Sequence, residues 1–557
     1  MMFKVGLVIL LVAYSLSLLA NEPPLIVEQP HEFEENIKPD VDIPDSEVLS
    51  TAESIDTIRV EHVQFQGGTV FELASLAAIV QPIIGNDVTK IDLVKVLRRI
   101  TQKYKEAGYP LAFALLPKQN TQDGSITITL VEGYIARSEI LIEDTKVKKR
   151  VEQLAAQLHD QIPLQKATFE RYASLIENIP GYTFKILVPK PKTVNGATTI
   201  RVEQVKRNLI ETNVGFDYGE TEDRQIVAGL RLNTVTSGAD ELNITTLVPN
   251  DTVDEYYALN YSRAIGMDGL QIDFDASRFT SQGNDRIFIA DVPINYEENK
   301  KRDRLAIGLR YPVKLTKSEK WWLGTKLHHA DEESFYKLSR QDGSGSTVDI
   351  EKALRYSAIE LNSQWQKKYT RQLVSVSARL KQGLELGSNR NQFIDAAGTR
   401  EGAESTHFTS WDITTMWRFL VSPQWRLQAR TNLFWSDDVL PSAEQARYGG
   451  SRFARAYPDG QAQGDRGAGA EVELRYLLPV NYNLIKRLEP YILFDVAKTQ
   501  LQSNDNQQEL ASAVIGLDVT DQKYYGIGLE LAKPIGDAHY ETMSRKPIYN
   551  LKLRWKF

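Results

Sequence analysis

Residues 453–476, FARAYPDGQAQGDRGAGAEVELRY, join a Gly-, Asp- and Arg-rich segment directly to a strictly alternating one. In the second part Ala470, Val472, Leu474 and Tyr476 are apolar, whereas Glu471, Glu473 and Arg475 are charged. Successive residues of a strand face opposite ways, so one face suits lipid and the other water, the pattern of a transmembrane β-barrel strand. The segment before it sets Arg455, Asp459, Asp465 and Arg466 among small residues, a composition suited to folding inward and pairing charges inside a lumen.

The same alternation extends on both sides. Beyond Arg207 helical periodicity disappears, and alternating segments recur between clusters of Gly, Asp, Asn, Ser and Pro. Leu270, Ile272, Phe274 and Ala276 alternate with Gln271, Asp273, Asp275 and Ser277; Trp425, Leu427, Ala429, Leu433 and Trp435 alternate with Arg426, Gln428, Arg430 and Asn432. About sixteen such segments, one per ~22 residues, match tilted strands of about ten residues plus turns. A β-sandwich with one polar face is the soluble alternative. Dense Arg, Lys, Glu and Asp on the polar face, and Trp425 and Trp435 at strand ends, favour the membrane. The chain stops in mid-strand, with Tyr549, Leu551, Leu553, Trp555 and Phe557 facing one way and Lys552, Arg554 and Lys556 the other. Trp555 and Phe557 therefore mark a last strand that closes the barrel against the first.

Before the barrel, two compact units share one order of elements. In the first, a strand at 59–65 ends at Gly67-Gly68, helices cover about 71–80 and the stretch after Thr89, and strands at 111–117 and 125–132 are joined by a turn at Asp123-Gly124. In the second, a strand at 136–143 precedes helical stripes at Val147, Val151, Leu154, Leu158 and at Phe169, Tyr172, Ile176, Ile179, then strands at 182–188 and 198–204. Tandem copies without catalytic groups suggest a binding array.

Residues 21–57 hold eleven acidic side chains against Lys38 alone and are broken by Pro23, Pro24, Pro30, Pro39 and Pro44, so they read as an extended tether in which only 45–56 could form a short helix. Residues 1–20 place Lys4 before an apolar run that ends in small residues and a polar Asn21-Glu22, the pattern of a secretory signal with cleavage after Ala20. The expected layout is thus signal 1–20, tether 21–57, α/β units 58–135 and 136–207, and barrel 208–557 with an inward loop at about 437–467.

Composition excludes several classes. The chain of 557 residues has a net charge of −7, which argues against a nucleic-acid binder, and no cysteine, which removes disulfides, thiolate metal sites and a cysteine nucleophile. His328-His329 followed by Asp331, Glu332 and Glu333 has metal-ligand types, but adjacent strand residues point apart, so no metal site is assigned. Gly343-Ser344-Gly345-Ser346 is read as a flexible turn, and Lys146 to Arg150 as the solvated start of a helix. No catalytic constellation or cofactor motif stands out.

Together these parts resemble the outer-membrane transporters of two-partner secretion, the TpsB proteins (the ShlB/FhaC/HecB family), relatives of the BamA-like barrels. The run TKIDLVKVLRRITQKYKEAGYPLAFALLPKQNTQDGSITITLVEGYI at 89–135 is similar to the family's first POTRA domain, including Tyr104, Tyr109, Pro117, Gln119, Gly124 and Glu132. Ala454-Arg455-Ala456-Tyr457 resembles the family's Val-Arg-Gly-Tyr loop tip with Ala at two positions, and YILFDVAK at 491–498 resembles its Phe-x-Asp-x-Gly strand, with Ala497 where Gly is usual. The resemblance implies a membrane β-barrel of about 16 antiparallel strands with two N-terminal periplasmic POTRA domains (β-α-α-β-β) in the outer membrane of a Gram-negative bacterium. It further implies that Arg455, with Tyr457, pairs with Asp495 beside Phe494 to lock the loop to the wall. Tyr109, Gln119, Gly124 and Glu132 are candidate contacts for a secreted exoprotein, recognised through its N-terminal secretion domain. Other implied partners are outer-membrane lipid and, during biogenesis, the barrel assembly machinery. The family's pore-plugging helix is either residues 45–56 or absent, leaving the loop alone. The runner-up is a BamA-like or TamA-like insertase, whose relatives usually carry more POTRA units; a passive porin ranks third.

Overall fold

A computed structural model describes residues 57–219, 222–236, 239–248, 254–289, 292–340, 347–480, 482, 484–503, 506–539 and 543–557. The expected signal at 1–20, the tether with its 45–56 helix, and the turn at 343–346 lie outside these residues.

The first α/β unit has a sheet in the order His62–Gln66, Ser125–Val131, Phe113–Leu115, parallel then antiparallel, under helices Leu73–Val80 and Lys90–Glu106. Thr89 starts the long helix: its hydroxyl accepts from Asp92 N at 3.3 Å and donates to the Asp92 carboxylate at 2.6 Å. Leu93, Val96, Leu97, Ile100 and Tyr104 from that helix are buried against Ile126, Ile128 and Leu130. The expected first strand is split, because Ile58–Arg59 turns away to pair with Asp87–Val88.

The second unit repeats the arrangement with strands Tyr134–Leu141, Ala197–Arg207 and Tyr182–Leu187, the last at an edge, and helices Thr145–Ala156 and Lys166–Glu177. Asp144 caps the first helix by accepting from Lys146 N and Val147 N. Its sheet begins two residues before the position read from sequence, since Tyr134 already pairs with Ala197.

Sixteen antiparallel strands form one closed barrel, the strand 548–556 pairing with 210–219 to seal it. Phe557 N donates to Thr212 O and Thr212 N to Phe557 O, so the ladder runs to the last residue. A hairpin at 390–395 and 398–401 leans on strand 348–368 without adding to the wall. The face that would be the core of a sandwich is outside: Leu305, Ile307, Leu309, Leu433, Val472 and Ile515 are all exposed. Trp425 beside Tyr476, and Trp555, edge this band at the end bearing the α/β units, whereas Trp411 opposite Trp435 edges it at the far end. The ten-residue spacing from Trp425 to Trp435 fits a strand crossing of about 9–11 residues. Among the described residues no helix is long and apolar enough to cross a membrane.

Strands 270–289, 292–315, 319–340 and 348–368 are twice that length and project beyond the band at the far end. The second α/β unit sits on the barrel turns at the other end. Lys146 Nζ donates to Thr236 O at 3.0 Å, Arg150 to Gly266 O at 2.5 Å, and Arg171 to Asp268 O at 2.6 Å and Pro312 O at 2.8 Å. Within the helix start at 146–150, Lys146 and Arg150 thus dock on the barrel turns, while Lys149 stays exposed as expected.

Candidate functional site

The chain between strands 425–436 and 466–476 enters the barrel instead of turning back. Its roots are tied by Asp465, a fully buried carboxylate that accepts from Leu440 N and Gln502 N, each at 2.8 Å. A short hairpin, Ala446–Tyr448 with Ala462–Gly464, carries the segment across the lumen. The wall is shaped to receive it. A Cβ at Gly467 would lie 2.8 Å from Ala446 and Tyr448, and one at Gly469 would lie 2.9 Å from the Phe453 ring. The glycines of the alternating strand thus leave the holes that Tyr448 and Phe453 fill.

At the tip Phe453 and Ala454 adopt φ of 49° and 56°, the left-handed region that costs non-glycine residues about 1–2 kcal/mol each. That turn aims the next three residues at the wall. Arg455 N donates to Asp495 Oδ2 at 3.0 Å, Ala456 N to Ser512 Oγ at 3.0 Å, and the Tyr457 hydroxyl to Asp537 O at 2.9 Å. Ala454 and Ala456 are fully buried against the wall.

The Arg455 guanidinium does not pair with Asp495 as the resemblance implies. It reaches Glu530 at 2.9 Å and Glu471 at 3.3 Å, while Asp495 is occupied by the backbone amide. The reason is geometric: the left-handed turn places the amide, not the side chain, over Asp495. Glu530 is further held by the Tyr491 hydroxyl at 2.7 Å and Lys552 at 3.3 Å. Phe494 is not part of the site. Strand alternation sends it to the outer face, where it is 58% exposed, while Asp495 faces inward and is buried. Trp555 and Phe557 also face outward, at the closing seam.

The four residues proposed in the first α/β unit serve its own scaffold. Glu132 accepts from Thr69 N, Thr69 Oγ1, Val70 N and the Tyr104 hydroxyl at 2.7–3.0 Å. Burial pushes its carboxyl up, but these bonds outweigh that and hold it below its ordinary value of 4.5. Gln119 closes both backbone polar groups of Thr127, donating to its O at 2.9 Å and accepting from its N at 2.7 Å. Gly124 has φ of 73° in the turn, where a Cβ would meet Glu61 at 2.8 Å. Tyr109 packs edge-on against Tyr104 at 6.4 Å. Glu132 and Gln119 thus spend their hydrogen-bonding groups within the unit, and Gly124 and Tyr109 shape its turn and its packing. His328 points into the barrel, 3.2 Å from Glu360, and His329 lies against Ser357 on the other face; among the described residues no cluster suited to a metal is found.

Sequence reasoning missed Glu530 and the anchoring role of Asp465. The first had a signal: the lone carboxylate of a strand, YGIGLELAKP at 525–534, whose other charge is Lys533.

A sixteen-stranded barrel preceded by tandem β-α-α-β-β units, with a lumen crossed by a loop pinned through an Arg tip, defines the outer-membrane transporter class that carries POTRA domains. The pattern of the POTRA domain, ShlB-type, matches residues 58–133, and that of the haemolysin secretion/activation protein ShlB/FhaC/HecB family matches residues 196–519. The chain belongs to this family, and so to the TpsB transporters of the Omp85 superfamily. It is similar to the heme/hemopexin transporter protein HuxB of Haemophilus influenzae strain 86-028NP, with 21% identity over 478 residues, covering 83% of this chain and 80% of that protein. In fold it resembles CdiB from Escherichia coli (TM-score 0.69, 16% identity, 92% of this chain and 93% of that one). CdiB from Acinetobacter baumannii is similar too (TM-score 0.60, 13% identity, 98% and 96%).

Proposed function

We propose that this TpsB pore lies in the outer membrane of a Gram-negative cell with its POTRA units in the periplasm, and secretes one large partner exoprotein through its barrel. The observation that carries this reading is the juxtaposition of a closed loop in the lumen with the second α/β unit docked on the barrel turns at one mouth. The client's N-terminal secretion domain arrives extended and adds to a sheet edge, such as strand Tyr182–Leu187 at one edge of the second unit. Backbone bonds supply affinity and side-chain pockets supply choice. The chain then threads the lumen once the loop tip leaves Glu471, Glu530 and Asp495. Folding of the client outside the cell supplies the driving force, since the periplasm offers no ATP.

The test is capture by the full-length protein in lipid nanodiscs of unfolded N-terminal exoprotein fragments from the same cell, with unfolded outer-membrane barrels as competitors. The HuxB name makes an exoprotein of the heme/hemopexin kind one member of the panel. Selective capture of one exoprotein fragment is expected; preference for the barrels would favour an insertase instead.

A further inference from the structure

The loop is held at a second place, by charges of the opposite sign. Ser442–Glu444 forms a single helical turn after Pro441, near the loop's first root. Lys381 Nζ donates to both Glu444 carboxylate oxygens, at 2.8 and 2.7 Å, and the Tyr356 hydroxyl donates to Oε1 at 2.7 Å. Arg304 lies 3.7 Å from the same oxygen and donates to Ala443 O at 3.2 Å. Four residues earlier, Leu440 is fully buried with Phe408 and Tyr356. These groups come from strands 292–315, 348–368 and 372–384, on the arc of wall to one side of the root. The tip's partners come from 466–476, 487–500, 507–520 and 525–534, on the other side.

We infer that Glu444 is a second positioning residue of the closed pore, an anionic latch set in a basic wall across the lumen from the cationic Arg455 in its acidic wall, so that a client passes only when both let go. This rests on the reading that the loop at 437–465 closes the pore. A carboxylate withdrawn from water is stable only while its donors are in place, so the contact favours the state in which the loop lies against this wall. The opposite signs also fix orientation. Were the loop to slip or reverse, Arg455 would face Lys381 and Arg304 while Glu444 faced Glu471 and Glu530, repelled at both ends. Each latch adds to the cost of moving the loop, so loss of either one shifts the pore part of the way toward opening.

The experiment is single-channel recording of the full-length protein in planar bilayers, with barrel integrity followed by heat-modifiable electrophoretic mobility. E444K places a third cation beside Lys381 and Arg304 and is expected to raise the open fraction roughly tenfold or more, the scale set by losing one charge-assisted buried contact. E444Q, which keeps the shape, is expected to raise it less. The charge swap E444K/K381E restores closure, which a merely local folding defect would not. R455E serves as the reference for loop release. If R455E opens the pore while E444K behaves as wild type, or if the swap fails to restore closure, the Glu444 latch is wrong and the gating loop stands. If R455E also leaves the pore shut, both fall.

Discussion

Glu132 and Glu530 are both carboxylates surrounded by donors, yet they belong to different kinds of structure. Glu132 closes a POTRA unit on itself, tying Thr69, Val70 and Tyr104 to the end of the central strand over a dry core. Glu530 ties the barrel wall to a segment that is not needed to build the wall. Breaking the first loosens a fold. Breaking the second frees a loop, because the barrel's stability resides in its closed strand ladder rather than in what crosses the lumen. The lesson is that hydrogen-bond count does not separate a scaffold from a gate; what separates them is whether the partner can leave without unfolding anything.

The largest effect expected from this contrast is at Arg455. R455E removes the guanidinium that Glu471 and Glu530 share, leaving only Arg430 near the first and Lys552 near the second, and adds a negative charge beside them, a loss on the order of 2–3 kcal/mol. That corresponds to a roughly 30- to 150-fold shift toward the released loop. Conductance should rise by that order while barrel levels stay normal; unchanged conductance would break the distinction between wall and gate. D495N comes next. It keeps an acceptor for Arg455 N but drops the charge, so a smaller rise in open fraction is expected, whereas a defect equal to R455E would mean the guanidinium pairs with Asp495 after all.

For the scaffold side, the sign of the pH dependence is fixed by Glu132. Its folded-state value lies below the ordinary 4.5, so its bonds stabilise the first POTRA unit fully above about pH 4.5 and are lost as pH falls through the folded value. Hydrogen-exchange protection of residues 62–66 and 125–131 in the full-length protein should drop below pH 4.5, and E132Q should flatten that dependence without altering conductance. The smallest effect is expected at Phe494: F494L, on the lipid face, should leave both conductance and secretion unchanged.

The barrel was legible because alternation is a period-two signal that closure cannot disguise, and Phe453 to Tyr476 already contained both the strand and the loop that fills it. The glycines at 467 and 469 were visible, but their purpose was not, since the holes they leave exist only once Tyr448 and Phe453 face them. The pairing of Arg455 with Asp495 was half right for a local reason: two left-handed residues at 453 and 454 rotate the backbone amide, not the guanidinium, toward Asp495. Such a turn has no sequence signature when its residues are Phe and Ala. Glu444 and Lys381 lie far apart in the chain, and only the path of the loop across the lumen brings them together. The POTRA residues show a similar limit: that Gln119 and Glu132 close the unit's own strands and turns is visible only once Thr127 and Thr69 are placed beside them.

The central claim, that the loop must leave the wall for a client to pass, is tested most directly by joining them. The chain has no cysteine, so A456C/S512C places a unique pair where Ala456 N already meets Ser512 Oγ at 3.0 Å. With the disulfide formed quantitatively, secretion should stop and return on reduction. Wild-type secretion through the oxidised protein would contradict the account.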